Sequence, residues 1–516
     1  MGRYNLGRGE FKGVSIKTII KHLACIPLLI SFLLVTPHAQ GSVIEDKSFV
    51  PNDDLVRFVK EHIGKAFYGN YMGKKKVGWE SDEIKFVKLD GVMVVSQFSE
   101  SYSRALFGGN KTEVQDKTEI TFSLEGQGDI LQIKANHIEN GVEKTRTLIK
   151  RNGKFILITK SNDRTDEKVV SKPKENLLMQ KNLEDWLKGN RIKGDIYSCF
   201  STSIEEDDLN IPTRYIYKSK KMIAHNGINI LVHEIDQESH GAIFYSLLEN
   251  DGKLHYGRLG RIIEYRLETE SDSKKLDPIL VDLIQISAVK LDKFLGDPIK
   301  VLSLKLQFNS DDDFDFPQSH RQSSIRQKDN SLILNIKKDF IVKTGNLLSV
   351  EDQKQCLLSS LSAPSDSPKI KSLANKIVGD ATTDYEKSGR LVRWIYSNLE
   401  KTLSKNSDNA LDILDKKAGD CTEHTLLFVT LARSLGIPSR EVGGIAYMAG
   451  EKIPKMAWHA WAEFHDGRQW ISADPTWNQL LVDGTHIKFS EGSTDLKWLN
   501  VLGGLSLKVL DFQIQK

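Results

Sequence analysis

Cysteine is scarce in this chain. Only Cys25, Cys199, Cys356 and Cys421 occur among 516 residues, with no CxxC and no HxxxH pair, so ligand spacing gives no support to a zinc site. Long apolar stretches are lacking too. The run LACIPLLISFLLV, Leu23 to Val35, would make a helix of only about 20 Å against a hydrocarbon layer of about 30 Å, which argues against a spanning anchor. Neither charge dominates, with 72 Lys and Arg against 69 Asp and Glu. What is present is a chain 39% hydrophobic and 27% charged, neither disordered nor collagen-like and long enough for two or three domains.

Arg3, Arg8, Lys12, Lys17 and Lys21 precede the apolar run, and TPHAQGS follows it. That is the layout of a secretory leader over residues 1–41, so the protein is expected in the periplasm or outside the cell, with an uncleaved N-terminal anchor as the alternative. Cys25 lies before most of the run, which argues against lipidation. Cleavage would remove five basic and one acidic side chain, turning the net charge from +3 to −1. No global basic field then remains to argue for nucleic acid, and no stable membrane span is expected. Three cysteines stay in the mature part, an odd number for an oxidising compartment. A Cys199–Cys356 disulfide and two buried thiols are both open readings.

Residues 54–70 read as an amphipathic helix, and from there to about 345 the signals are mainly strands joined by glycine turns, among them Asn152-Gly153 and Asp251-Gly252. The expectation is an antiparallel β-rich region over 42–345, with a layout that suggests two similar halves, 42–185 and 186–345. Asp311, Asp312 and Asp313 sit in a polar stretch that lacks the spacing of a calcium loop and reads as solvated. Residues 346–367, with SSLSAPSDSP, form a linker. Over 368–516 helical periodicity gives way to strands, so the fold class is α+β.

In GDCTEH, Asp420 suits an N-cap and Glu423 stands at capping-box spacing, which puts Cys421 at the first helical position. The helix should stop at Gly436-Ile437-Pro438. A sulfur at that end meets unbonded N–H groups and the positive end of the helix dipole, which favour thiolate. Downstream, WHAWAEFHDGRQWISADPTW reads as a hairpin. A two-residue turn at Asp466-Gly467 would set His459 directly opposite Asp474, close enough for the carboxylate to hold the imidazole, with Pro475 ending the strand. Cys421, His459 and Asp474 thus supply a nucleophile, a base and an orienting acid.

These three motifs, GDCTEHTLLFVTLARSLGIPSR, WHAWAEF and DPTW, in this order resemble the transglutaminase-like superfamily. The resemblance implies a papain-related core in which a cysteine-bearing helix packs on an antiparallel sheet, with Cys421 as nucleophile, His459 as base and Asp474 as orienting acid. It covers roughly 360–516, including the helices before the core with Trp394. The implied activity is an exported, cofactor-free thiol enzyme that forms a thioester from a protein or peptide substrate and hydrolyses it. Protein cross-linking is the first alternative, and a noncatalytic surface or cell-wall binding protein the second.

Other polar residues near these motifs have plainer readings. His424, one turn from Cys421, is expected to pack or hydrogen-bond rather than to bind metal with Cys421 and His459, and Glu423 to cap. His465 is expected in solvent at the hairpin turn. Of the four tryptophans around the hairpin, Trp461 shares the His459 face by alternation and is the better candidate to line a cleft. The Cys421 N–H is the evident oxyanion donor; a second is not assigned.

Overall fold

The structure, a computed structural model, describes residues 51–515 except 162–163, 206–208, 311–313, 343–344, 346, 403–406, 408 and 493–494. The expected leader over 1–41 and the trio Asp311, Asp312 and Asp313 lie outside the described residues. The chain divides into two compact units, one reaching Val281 and the other formed by Asp282 onward with Phe107–Asn110.

In the first unit, the helix expected over 54–70 spans only Asp53–His62. Gly64, at φ 156°, begins a strand instead, where the aromatic-rich AFYGNY favours pairing over helix. The unit holds one 14-stranded antiparallel sheet. Eight strands from Gly64–Met72 to Arg164–Val170 form one meander, and six from Ile196–Thr202 to Ile263–Glu268, after a helix at Leu177–Lys188, form another. The two meet where Phe67 pairs with Glu268. Asn152 and Gly153 take positive φ in their hairpin, as their sequence demands. The β-rich region therefore forms one sheet of unequal meanders that ends at Glu268.

Labels for the second unit follow the chain. Strands β1 (Val301–Asn309), β2 (Gln322–Arg326) and β3 (Leu332–Lys337) were expected to belong to the preceding β region. They instead build a four-stranded sheet with the last strand of the chain, β8 (Ser506–Ile514), in the order β2-β3-β1-β8. Helices α1 (Pro368–Val378), α2 (Asp384–Asn398), α3 (Ala410–Lys416) and α4 (Cys421–Ser434) follow, and then β4 (Ser439–Tyr447), β5 (Lys455–His465), β6 (Trp470–Asp474) and β7 (Ile487–Glu491). The second sheet has the order Gln479–Leu480, β6, β5, β4, β7, with Val289–Lys290 also pairing on β5.

Pro368 starts α1 and a Thr383–Glu386 capping box starts α2. Their apolar faces, with Ile370, Ala374, Leu391 and Ile395, close over Leu427, Phe428 and Leu431 of α4 and over Phe464 and Ile471 of the sheet. Helix α4 is therefore buried almost all round, as befits a central helix. The small sheet braces the other side. Ser472 N–H donates to Asp339 at 2.7 Å, Gln322 and Lys488 exchange two bonds of 2.8 Å, and Phe316 packs against Phe489 at 4.8 Å.

Gly444, paired with His459 across β4 and β5, marks a tight point. A Cβ there would lie 2.1 Å from the Ile487 carbonyl oxygen and 2.6 Å from Trp461 Cη2, and Trp461 is fully buried. Gly444→Ala is expected to lower stability by about 1–3 kcal/mol through overpacking, read as a fall in urea midpoint at unchanged m-value.

Candidate active site

Asp420 caps α4 as the sequence predicts. Its Oδ1 accepts the Thr422 N–H at 2.8 Å, and Glu423 Oε2 accepts the Asp420 N–H at 2.8 Å. Gly419 is needed beside this cap, because a Cβ there would sit 2.3 Å from Glu423 Cβ. The helix ends at Ser434, and Gly436 just beyond its C-cap takes φ 79°. Cys421 is thereby fixed at the first helical turn, where N–H groups lack intrahelical acceptors.

The hairpin differs from its expected register. Its loop is Asp466–Gln469, since His465 pairs with Trp470 and Ala462 with Ala473. Asp466 explains the longer loop: its Oδ1 accepts the N–H groups of Arg468 and Gln469, each at 2.9 Å, an Asx turn in place of a two-residue turn. In this register Asp474 lies across from Trp461, and His459 is its diagonal neighbour on the same face. Diagonal neighbours remain within reach of long side chains. His459 Nε2 donates to Asp474 Oδ2 at 2.9 Å, and both side chains are fully buried.

The Ala460 amide, on the residue after His459, lies toward the Cys421 sulfur and lowers its pKa. With Nε2 turned to Asp474, His459 Nδ1 is buried without a hydrogen-bond partner. Burial pushes the His459 pKa down more than Asp474 raises it, so the ring rests neutral with a lone pair on Nδ1. Burial pushes Asp474 up, but His459 and His486 outweigh it and hold the carboxyl well below its usual range. For Cys421, burial and then the Asp420 carboxylate push the thiol well up, opposed by the Ala460 amide. The helix end favours thiolate, as the sequence implies, yet complete burial overrides it and the resting group is the thiol.

Two members of the site went unrecognised in the sequence. His486 sends Nε2 to Asp474 Oδ2 at 3.4 Å and Nδ1 to Asp483 Oδ1 at 3.2 Å. All three side chains are buried. Asp483-Gly484 before an alternating strand was the available signal, a turn that delivers His486 to the start of β7. Trp477 rather than Trp461 covers the imidazole: it stacks on His459 at 4.0 Å and 9° and is half-buried. Trp461 lies 6.2 Å away and fully buried, so it packs and lines no cleft.

His424 donates Nδ1–H to the Asp420 carbonyl at 2.7 Å, a packing role as expected. His465, expected in solvent, is buried against Trp470 and accepts the Gly467 N–H on Nδ1, because the wider loop folds back over it. Cys199, Cys356 and Cys421 are all free thiols. Cys421, His424 and His459 do not gather as a ligand set among the described residues, whereas His459, Asp474 and His486 place donor atoms within 4.8 Å of one another. Among the described residues no fourth His, Cys or carboxylate joins that group, and both rings point Nε2 at the same oxygen, the pattern of a hydrogen-bonded set.

A central helix with Cys421 at its first turn, packed on an antiparallel sheet that carries a His–Asp pair, defines the class of fold. Residues 371–475 match the family model of the Transglutaminase-like superfamily, and this part of the chain is a transglutaminase-like domain. An uncharacterized Haemophilus influenzae protein is 34% identical over 91 residues, 17% of this chain and 25% of that protein; the chain thus spans about a quarter of that relative's length. Among solved structures, a candidate cysteine protease from Cytophaga hutchinsonii is similar at 20% identity and TM-score 0.28, covering 42% of this chain and 86% of its own. A β-barrel-like protein of a domain of unknown function from Brucella abortus gives 11% identity and TM-score 0.30, with 40% and 95% covered. No helix among the described residues is long and apolar enough to cross a membrane.

Proposed function

We propose that this protein is an exported thiol enzyme that hydrolyses an amide or peptide bond through a thioester on Cys421. The observation that carries the reading is the buried His459–Asp474 hydrogen bond, which leaves His459 Nδ1 without a hydrogen-bond partner on the sheet that packs under the helix starting at Cys421. Export rests on the basic and apolar pattern of residues 1–41.

His459 Nδ1 takes the proton from the thiol as the sulfur attacks the substrate carbonyl carbon. Asp474 holds the imidazolium that forms. The developing oxyanion is met by the Cys421 N–H. His459 then returns the proton to the leaving amine, and the C–N bond breaks to give the thioester. Water, deprotonated by the same ring, releases the acid and restores the thiol. The resting thiol and neutral imidazole pass the proton only as an electrophile reaches the sulfur.

Thiol labelling checks this. With iodoacetamide at pH 6.5, Cys421 is expected to react at least about 100-fold faster than Cys199 or Cys356, because His459 serves it as general base. Burial pushes Cys199 up to about 12 and also raises Cys356. Equal rates at the three sites would sink the proposal. Mass-spectrometric comparison of peptides treated with wild type and Cys421→Ala then separates hydrolysis from Gln–Lys bond formation.

A further inference from the structure

We propose that His486 is a positioning residue for the candidate catalytic pair: clamped between Asp474 and Asp483, it fixes the Asp474 carboxylate so that His459 presents Nδ1 to the sulfur. The inference rests on the thiol-enzyme reading above and adds a residue to it.

Both ring nitrogens of His486 face carboxylate oxygens, Nε2 at 3.4 Å from Asp474 and Nδ1 at 3.2 Å from Asp483. A neutral ring would set a lone pair against one of those oxygens. An imidazolium satisfies both. Burial pushes its pKa down, but Asp483 and Asp474 outweigh this and leave it raised. The other rings around it are His459, Trp461 and Trp477, at 5.6, 5.2 and 5.3 Å.

The clamp is itself held. Asp483 Oδ1 also accepts the Thr485 N–H and hydroxyl, Asp483 Oδ2 accepts from Gln479, and the Asp483 N–H returns to Gln479 Oε1. The buried Arg321 of the small sheet grips the carbonyls of Asp483 and His486 at 3.1 and 3.0 Å. Two carboxylates and one imidazolium leave a single negative charge. That charge is what His459 needs once it has taken the thiol proton. Without His486, Asp474 would keep its Thr476 and Trp477 amide bonds on Oδ1, but Oδ2 would lose its second anchor.

The test uses the full chain carrying His486→Gln or Asp483→Asn, alongside wild type. His486→Gln is expected to lower kcat about 10–100-fold, the cost of a misaligned base, with KM within about threefold. His486 as imidazolium lowers the His459 pKa, so the acid limb of the Cys421 labelling profile should move to higher pH in His486→Gln. A purely structural residue would reduce the folded fraction without moving that limb. Should the variants fail to fold, histidine 15N NMR of wild type decides: His486 should remain doubly protonated at pH 7.5 while His459 is neutral. A neutral His486 there, an unmoved acid limb with kcat unchanged, or stoichiometric zinc held by wild type and lost from His486→Gln each overturns the inference. Fast Cys421 labelling in wild type with any of these outcomes leaves the enzyme reading standing; slow labelling removes it.

Discussion

Asp474→Asn is expected to lower turnover by about 10⁴-fold, the scale found when an orienting acid is neutralised with its geometry kept, and to lower stability by about 3 kcal/mol. Four donors converge on this carboxylate: the Thr476 and Trp477 N–H groups on Oδ1, and His459 and His486 on Oδ2. An asparagine amide in either orientation turns its NH₂ toward two of them. A neutral group also leaves the His486 imidazolium short of a counter-charge in a fully buried site. The pH dependence follows from the depressed Asp474 pKa. Stability from such a group is present above the unfolded carboxyl value near 4 and is lost as pH falls toward the folded one. The deficit of the variant should therefore be largest at pH 7 and shrink below about pH 4, in urea melts at both. Cys421→Ala should be equally inactive yet far less destabilised. Turnover within tenfold of wild type in Asp474→Asn would remove Asp474 from the proposed chemistry.

What the sequence revealed of this site was local. Asp420, Glu423 and Gly436 define both ends of α4 through contacts within a few residues, so the placement of Cys421 follows from capping rules. The His459–Asp474 contact was also legible, but through a register that the structure corrects. The error arose at Asp466, whose side chain closes an Asx turn that the Asp-Gly pair alone does not announce. Because the shift is by an even number of residues, His459 and Asp474 stayed on one face. His486 and Asp483 were legible only as a turn before a strand, for another reason. Their position depends on β7 pairing with β4, some forty residues upstream in sequence, and on Arg321 reaching across from the small sheet. No pattern within a short window encodes either. Likewise β1 to β3 read as a continuation of the strands before them, while their actual partner is the last strand of the chain.

That long-range pairing predicts the fate of a truncated protein. A chain beginning at residue 346, where the sequence places the linker, is expected to be insoluble or to unfold without cooperativity, whereas one beginning at Asp282 should fold and keep fast Cys421 labelling. Starting at 346 removes β1, β2 and β3, so β8 loses its only neighbour in the sheet. It strips Phe308 and Phe316 from Phe489 and uncovers the buried Val509, exposing apolar area worth about 1.5–3 kcal/mol for each large side chain. It also deletes Asp339, Arg321 and Gln322. Ser472 N–H, the carbonyls of Asp483 and His486, and both polar groups of Lys488 then lose partners in or beside the strands that carry Asp474 and His486. Each such group left buried and unpaired costs about 1–3 kcal/mol, and domains of this size have about 5–15 kcal/mol in all. The longer chain keeps every one of these contacts and gives up the bonds that the Asp282 carboxylate accepts from the Gly108 and Gly109 N–H groups. Size-exclusion elution, thermal melting and iodoacetamide rates for the two chains decide the matter: a monomeric, cooperatively melting 346–516 fragment with reactive Cys421 would show that the small sheet is dispensable to the site.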